Sequence, residues 1–255
     1  MVMGNTVRLR EAAAAGTLLP ARPAAGSESL SSIAGSGSRI DQIRRVGCAL
    51  LFRHGYSGMT MREIAASLKI KAASLYYHFP SKQHILFDVM HATVTELLEG
   101  LREIMSAEAE PEVQLDRAIR WHVLYHTSKR EEAFVSHSEL RSLEPENLRT
   151  ILKLRREYER LFDSILKRGW RKEVFRISQP SVVRNCILTM CTATAGWFSP
   201  DGALSAEAVA QEISLFVRAA LSRGDLIAES ARSVLAASSP LPSLRETRPV
   251  PVPQQ

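Results

Sequence analysis

The sequence contains few cysteines and no long run of apolar residues. Its three cysteines, Cys48, Cys186 and Cys191, are too few and too irregularly spaced for a disulfide framework or a zinc cluster, which favours a reducing compartment. No apolar run reaches the ~18 residues of a membrane-spanning helix, and the start of the chain lacks the apolar segment of a secretory signal. These absences predict a cytoplasmic protein that does not enter a membrane.

Enzyme motifs are absent as well. The sequence has no Gly-rich phosphate loop, nucleophile elbow or HExxH pattern, so we expect neither enzyme activity nor a cofactor. His122 and His126 lie four residues apart, and His84, Asp88 and His91 share one face of another predicted helix, which are spacings that metal ligands use. Because the sequence specifies no third ligand, we interpret these histidines as pocket-lining or surface residues and predict no metal site.

Positive charge is concentrated in one early segment. Residues 39–82 hold eight Lys or Arg against two Asp or Glu, whereas residues 83–225 hold nineteen against twenty-one. This asymmetry is typical of a nucleic-acid-binding module joined to a neutral domain, although a solvated basic face would have the same composition. The basic run "KLRREYER" at 153–160 is most simply a solvated helix face with ion pairs between residues i and i+4.

The periodicity of apolar residues predicts an all-α protein of about nine helices. Apolar residues recur at steps of three and four through the middle of the chain, and almost no strand-like alternation occurs. Residues 1–38 form a predicted flexible arm, 39–82 a DNA-binding domain, 83–225 a helical domain, and 226–255 a flexible tail. The predicted helices span 39–54, 60–67, 71–78, 82–105, 112–128, 131–142, 145–168, 180–198 and 205–223.

The second and third predicted helices form a helix-turn-helix. Only residues 68–70 separate them, and Thr60 with Glu63 makes a capping box at the start of the first. Outward positions on 71–78 carry short donors and aromatic edges that fit the major groove of DNA. The apolar inner face that should hold the two helices together consists of Ala65, Leu68, Ile70, Leu75 and Phe79.

This segment strongly resembles the tetracycline-repressor (TetR) family of bacterial transcription regulators. The resemblance covers Arg39 to about Leu86, including "FRHGYSGMTMREIAASL" and "SLYYHFPSK". At Lys69 the family usually has a glycine, so this lysine must accept a left-handed backbone at modest cost, and its charge would face phosphates. The resemblance implies base contacts by Arg62 and phosphate contacts by Thr60. The full set of implied DNA-binding residues is Thr60, Arg62, Lys69, Lys71, Ala72, Ala73, Ser74, Tyr76, Tyr77, His78 and Lys82.

The resemblance also implies that the rest of the chain binds a ligand and forms a homodimer. The last two long helices, 180–198 and 205–223, would pair with their copies in a four-helix bundle, and the dimer would bind a palindromic operator. The apolar stripe expected there consists of Ile213, Leu215, Phe216, Val217 and Leu221. The implied function is that of a regulator, most simply a repressor that a small molecule releases from DNA.

Two further stretches resemble the acyl-CoA-responsive regulators of fatty-acid or steroid breakdown. They are "SELRSLEPENLRTILKLRREYERLF" and "GWFSPDGALSAEAVAQEISLFV", and they imply a CoA thioester as the effector. Another hydrophobic compound or a metal stays open as the effector, and a protein that coats DNA without sequence preference stays open as an alternative class. The expected ligand-binding residues are Phe87, Met90, His91, Trp121, His122, Tyr125, Phe134 and Trp197.

Overall fold

The computed structural model describes residues 29–33 and 35–222, in which helices are joined by short loops and no strand occurs. A short 3-10 turn, Leu140–Ser142, precedes the longest helix. The α-helices are α1 Leu30–Ile33, α2 Arg39–Gly58, α3 Met61–Ser67, α4 Ala72–His78, α5 Lys82–Ser106, α6 Pro111–Ser128, α7 Arg130–Ser138, α8 Pro145–Arg171, α9 Pro180–Trp197 and α10 Ala206–Leu221.

The helix ends form where the sequence chemistry places them. The Thr60 hydroxyl accepts a hydrogen bond from the Glu63 backbone, and the Glu63 side chain accepts one from the Thr60 backbone, which completes the predicted capping box. Pro111, Pro145 and Pro180 each occupy a first helical position, where the missing N–H of proline costs nothing. The all-α fold expected from the sequence is therefore confirmed.

One predicted helix end was wrong. The helix expected over 131–142 ends at Ser138 and is followed by the separate 3-10 turn, because the chain bends before Pro145. The arm expected over 1–38 stays a prediction; among its described residues, the Ser36 carbonyl accepts a hydrogen bond from Arg45 Nη2 at 2.6 Å, and Leu30 packs against the core. The rest of the predicted arm, 1–28 with residue 34, and the predicted tail 226–255 lie outside the described residues.

One apolar cluster spans the predicted boundary between the two domains. Buried side chains of α2, α3 and α4 pack together with Leu86 and Met90 of α5 and with Phe134 of α7. The first turns of α8 close the same cluster through Leu148 and Ile151. We call this cluster the N-terminal core; it shows that the segment 39–82, which is predicted to bind DNA, is not packed independently of the helices that follow it.

A second cluster, the C-terminal core, joins the far half of α5 to α6, α8, α9 and α10. Helix α10 lies along α6 and buries Val217 and Leu221. In contrast, Leu215 and Phe216 point outward, with 66% of Phe216 exposed. The apolar stripe expected on α10 is therefore divided between an inner face that serves the core and an outer face that is open in the single chain.

No helix of the described part of the chain combines the length and the apolar character that crossing a membrane requires.

Candidate DNA-binding surface and ligand-binding core

The turn between α3 and α4 contains a left-handed lysine. Lys69 has φ 52°, and the Ile70 N–H donates to the Ala65 carbonyl at 3.0 Å, which closes the turn. A non-glycine residue tolerates this conformation at a modest cost. The Lys69 side chain is exposed beside the start of α4, as the sequence predicted.

The outer face of α4 carries two large exposed aromatic side chains. Tyr76 is 49% exposed and Tyr77 is 85% exposed. The preceding residue, Leu75, is fully buried in the N-terminal core. Lys71, Ala72, Ala73 and Ser74 are also exposed, and His78 is half-buried with its ring edge-to-face against Tyr77. Apolar rings on a short surface helix mark an interaction surface, and this one has the width of a major-groove reader.

Arg62 and Thr60, which are predicted to contact DNA from the start of α3, differ in whether their side chains already have a partner in the protein. Arg62 is exposed, and none of the ion pairs in residues 29–33 and 35–222 includes it. The Thr60 hydroxyl, however, donates to Glu63 Oε2 at 2.7 Å and accepts from the Glu63 backbone. Its first role is therefore to cap α3, and a phosphate would have to compete with the Glu63 carboxylate for the hydroxyl.

Lys82 also has a structural partner. Its Nζ donates to the Tyr56 carbonyl at 3.0 Å and lies 4.4 Å from the centroid of the Tyr56 ring. This contact joins the last turn of α2 to the first turn of α5. The side chain predicted as a phosphate clamp thus also has a structural role, because it ties these two helices together.

A buried polar network occupies the middle of the C-terminal domain. His122 Nδ1 lies 2.9 Å from the Tyr158 hydroxyl, and His122 Nε2 lies 3.0 Å from the Thr192 hydroxyl. Because a neutral imidazole has one donor and one acceptor, one of these hydroxyls donates to the ring and the other accepts from it. We call His122, Tyr158 and Thr192 the His122 network; it links α6 to α8 and α9.

Two more histidines extend this polar region. The His126 ring stacks on the His122 ring, with centroids 4.1 Å apart and an interplanar angle of 4°, and the His137 ring lies 6.0 Å beyond. Burial, followed by the neighbouring histidines, holds the pKa of His122 well below its ordinary value, and burial lowers the pKa of His126 to about 4. Both rings are therefore neutral at neutral pH.

Arg155 places a positive charge beside these rings. Its Nη2 donates to the carbonyl and hydroxyl oxygens of Ser136 at 2.7 Å and 3.2 Å. Burial lowers the pKa of Arg155 to about 10, against an opposing effect of Glu159. None of the ion pairs among the described residues includes Arg155, so its charge is held by neutral oxygens.

The expected ligand-binding residues do not line one cavity. Trp121 packs on α5, where the absence of a side chain at Gly100 admits its ring, and its Nε1 donates to the Leu97 carbonyl at 3.0 Å. Phe87, Met90 and Phe134 belong to the N-terminal core, and His91 contacts Phe87. Tyr125 is buried beside Glu96. Trp197 was assigned to the pocket, but it is 59% exposed at the end of α9 and cannot line a cavity within one chain.

Of the expected set, only His122 lies at the centre of the buried polar network. Sequence reasoning missed its partners Tyr158 and Thr192, and it missed Arg155. Tyr158 stands inside a run of charges and Thr192 inside a run of small residues, so no local pattern marks either one. The histidine pair did point to this place through its i, i+4 spacing, but as a stacked pair rather than as metal ligands. In the part of the chain that the structure describes, no group of three or more His, Cys, Asp or Glu is placed to hold a metal ion.

A separate open cavity of about 510 Å³ lies at the connection between α5 and α6. Residues 105–110 form its rim, with Gln114 and Arg168 at the side. The Arg168 guanidinium donates to the Gln114 amide oxygen. None of the residues expected from the sequence to bind a ligand lines this cavity.

A basic helix-turn-helix with an exposed reading face, carried by a helical domain with a buried polar centre, defines a DNA-binding transcriptional regulator. Two family models match the chain: "Bacterial regulatory proteins, tetR family" over residues 43–89, and "Tetracyclin repressor-like, C-terminal domain" over residues 108–221. The chain belongs to the TetR family of regulators. This family consists of ligand-responsive DNA-binding proteins and not of enzymes, and both of those expectations are confirmed.

Individual relatives are similar over most of their length. The transcriptional repressor KstR2 of Rhodococcus jostii is 21% identical over 180 residues, which cover 70% of this chain and 88% of that protein. Among solved structures, the TetR-family regulator PfmR of Thermus thermophilus has a TM-score of 0.65 at 27% identity, covering 71% of this chain and 98% of that one. AibR, solved with isovaleryl coenzyme A and operator DNA, has a TM-score of 0.65 at 25% identity, covering 70% and 97%.

Proposed function

We propose that the protein is a homodimeric, cytoplasmic repressor that an acyl-CoA thioester releases from a palindromic operator. The repressor role is supported by the relative KstR2, which is a transcriptional repressor, and the thioester is supported by AibR, which binds isovaleryl coenzyme A together with operator DNA. The single observation in this chain that carries a ligand-binding role is the His122 network, because buried polar groups in an apolar core are the usual anchors of a small molecule.

The DNA contacts are assigned to the exposed face of α4 and to Arg62 of α3. Arg62 has the bidentate donors that match a guanine, and Tyr76 has a hydroxyl for a base edge or a phosphate. Ala72 and Ala73 present only methyl groups, which suit contact with thymine. The DNA-binding domain is assigned to residues 39–82 and the ligand-binding domain to 83–225. Side chains of both domains pack together in the N-terminal core.

The dimer surface is assigned to the outer faces of α9 and α10. Two large side chains of this surface, Trp197 and Phe216, are more than half exposed in the single chain. Val182, Leu204 and Leu215 add further apolar surface to the same two helices and the loop between them. Exposed apolar residues collected on adjacent elements mark a protein–protein interface, and TetR-family regulators are dimers.

The ligand is assigned a polar contact with the His122 network. A thioester carbonyl can accept a hydrogen bond from the Tyr158 hydroxyl or from a ring N–H, and it would replace one of the internal bonds. Arg155 places a positive charge near this site. Glu159 attracts this charge, but no carboxylate of the described residues forms an ion pair with it, which favours an anionic or strongly polar group in the ligand. Because α6, α8 and α9 meet at the network, a ligand there would shift α8, whose first turns also belong to the N-terminal core.

The test uses an operator that is selected from a random DNA library with the full-length protein. The protein–operator complex is titrated with short, long-chain, aromatic and steroid-derived acyl-CoAs, with the matching free acids and with CoA alone, and release is followed by fluorescence anisotropy. Release by a thioester and not by its acid supports the proposal. Indifference to every thioester, together with release by an unrelated compound, contradicts it.

A matched pair of variants tests the site. Thr192→Val removes one hydroxyl of the His122 network, and we expect it to shift the effector midpoint by about tenfold, since a lost buried hydrogen bond costs about 1–3 kcal/mol. Thr189→Val makes the same change three residues earlier on α9, where the side chain is half-buried outside the network, and should leave the midpoint unchanged. Equal midpoints for both variants would remove the network from the ligand site.

A further inference from the structure

Helix α8 carries a continuous basic face that has no role in the proposed function. At about 100° per residue, six side chains of α8 fall within a sector of about 60°. With a rise of about 1.5 Å per residue, they cover about 33 Å of helix. All six are exposed, and we call them the α8 basic face. They are Arg149, Lys153, Arg156, Arg160, Lys167 and Arg171.

Within residues 29–33 and 35–222, no carboxylate forms an ion pair with this face. The sequence predicted ion pairs between residues i and i+4 of α8, but no ion pair of the described residues joins two side chains of this helix. Three of the four acidic residues of α8 pair instead with other helices. Glu157 binds Arg102 of α5 at 2.5 Å, and Asp163 binds Arg184 of α9 at 2.8 Å. The prediction of pairs within the helix was therefore wrong.

The spacing of the cations is unfavourable for the helix itself. Arg149 with Lys153, Arg156 with Arg160, and Lys167 with Arg171 are each neighbours at i and i+4. Like charges at this spacing repel each other and destabilise a helix. A solvated surface would relieve this repulsion by mixing signs, as the other faces of α8 do. A row of cations that the fold does not neutralise points to a polyanion as its partner.

The chain itself offers no such polyanion at its ends. Residues 1–28 contain three Arg and two acidic residues, and residues 223–255 contain four Arg and three acidic residues, so neither segment is acidic. The basic face also lies on α8 and not on the apolar surfaces of α9 and α10 that are assigned to the dimer. Neither of these two segments therefore fits the partner of this face, which should carry a regular series of negative charges.

The geometry points to a second segment of duplex DNA, and we propose that the α8 basic face binds it through backbone phosphates while α4 occupies the operator. DNA is the polyanion to which this family already binds, and its phosphates form a linear array that matches a row of cations. The face starts at the DNA-binding head, since Leu148 and Ile151 close the N-terminal core. It ends beside Gly169, which packs on Phe175 in the C-terminal core. Most of the face thus lies beyond the head, so the duplex on it is a different segment from the one under α4.

Two double variants with equal change in charge test this surface. Arg156→Gln with Arg160→Gln neutralises the centre of the face, and Arg117→Gln with Arg176→Gln neutralises two exposed arginines of α6 and of the segment after α8. An operator selected from a random library is fixed to beads, each protein is bound to it, and a labelled random-sequence duplex of about 40 base pairs is added over a range of salt concentrations.

Wild type and the control variant are expected to capture the second duplex, and the α8 variant to capture about tenfold less while it binds the operator as wild type does. The logarithm of the capture constant falls linearly with the logarithm of the salt concentration. The slope of this line should become shallower by about 0.9 for each phosphate that the variant no longer neutralises. Retention of the operator in both variants separates this test from a failure of the α4 assignment.

Equal capture by the two variants would overturn the proposal. A second arm measures binding to vesicles of phosphatidylglycerol and to matched vesicles of neutral lipid, and light scattering reports the oligomeric state. Loss of vesicle binding in the α8 variant with unchanged capture of DNA would assign the face to an anionic membrane and overturn the DNA proposal. A changed oligomeric state in the α8 variant alone would assign it to contacts between copies, with the same consequence.

Discussion

Phe52 of α2 and Phe134 of α7 meet edge to face, with ring centroids 5.3 Å apart and an interplanar angle of 84°. Phe52 is fully buried and Phe134 is 7% exposed, so the pair forms part of the N-terminal core. Helix α2 belongs to the DNA-binding head, and α7 follows the helix that carries His122. The contact therefore joins the reading head to the ligand-binding domain through packed side chains.

We expect Phe134→Ala to lower the free energy of unfolding by about 3–5 kcal/mol, because it removes a buried ring and leaves a cavity. Phe134→Leu keeps most of the volume and should cost less than half as much. Urea denaturation followed by circular dichroism measures both changes. An unfolding free energy within about 1 kcal/mol of wild type for Phe134→Ala would show that the two domains do not depend on this contact.

Loss of the outer face of α4 should weaken operator binding without unfolding the protein. Tyr76→Ala removes a half-exposed ring, and Arg62→Ala should relax base preference at one position by about 1–3 kcal/mol. Tyr76→Phe separates the hydroxyl from the ring, and Arg117→Ala removes an equal charge from an exposed site on α6. Gel shifts at moderate salt check the affinities. If Arg62→Ala and Arg117→Ala bind alike, the reading face has been misplaced.

Charge placed on the proposed dimer surface, the outer faces of α9 and α10, should separate the two copies. We expect Phe216→Asp to yield a folded monomer, because a charge replaces a side chain that is 66% exposed in the single chain and proposed to be covered by its copy. Trp170→Asp introduces the same charge at a 54% exposed aromatic residue of α8 and should leave the dimer intact. Light scattering distinguishes the two species. A dimeric Phe216→Asp protein would place the interface elsewhere.

Stability should fall as the pH drops from about 6.5 towards about 4. The folded pKa of His126 is lowered to about 4 by burial, while the unfolded ring keeps its ordinary value. Between these two pH values the unfolded chain binds the proton of His126 more tightly than the folded chain does. The stability that the neutral His126 ring contributes to the folded state is therefore fully present above pH ~6.5 and is lost as the pH falls. One such histidine contributes at most ~1.4 kcal/mol per pH unit.

The measurement is the free energy of unfolding at several pH values for wild type, His126→Leu and His54→Gln. The first variant removes a buried histidine, so its pH dependence should be shallower than that of wild type. His54 is exposed, and its replacement should leave the slope unchanged. A slope for His126→Leu equal to that of wild type would mean that this ring titrates normally in the folded protein.

The helices and the exposed face of α4 could be predicted from the sequence because their signals are local. A capping box at Thr60, prolines at first helical positions and the three- and four-residue apolar steps each act within one helix. The exposed face of α4 followed from the same periodicity once Leu75 was assigned to the core. Lys69 could be recognised because its position in the turn requires a particular backbone conformation.

The His122 network could not be predicted because its members come from three helices. The hydrogen bonds between His122, Tyr158 and Thr192 cross 36 and 70 residues of sequence. Trp121 was expected to line the ligand pocket, and only the tertiary structure shows that it packs against Gly100 of α5. In the same way, the partner of Glu157 depends on which helix lies beside α8, and it proved to be Arg102 rather than a neighbour on its own helix.

The shared N-terminal core has a consequence for how the chain folds and how its parts can be exchanged. Residues 39–82 bury their apolar side chains against α5, α7 and the start of α8, so a fragment cut after residue 82 would lose one wall of its core. The head should therefore unfold in the same transition as those helices rather than before them. A chimera that transplants the head of another regulator onto this chain would need to carry the matching surfaces of α5 and α7 with it.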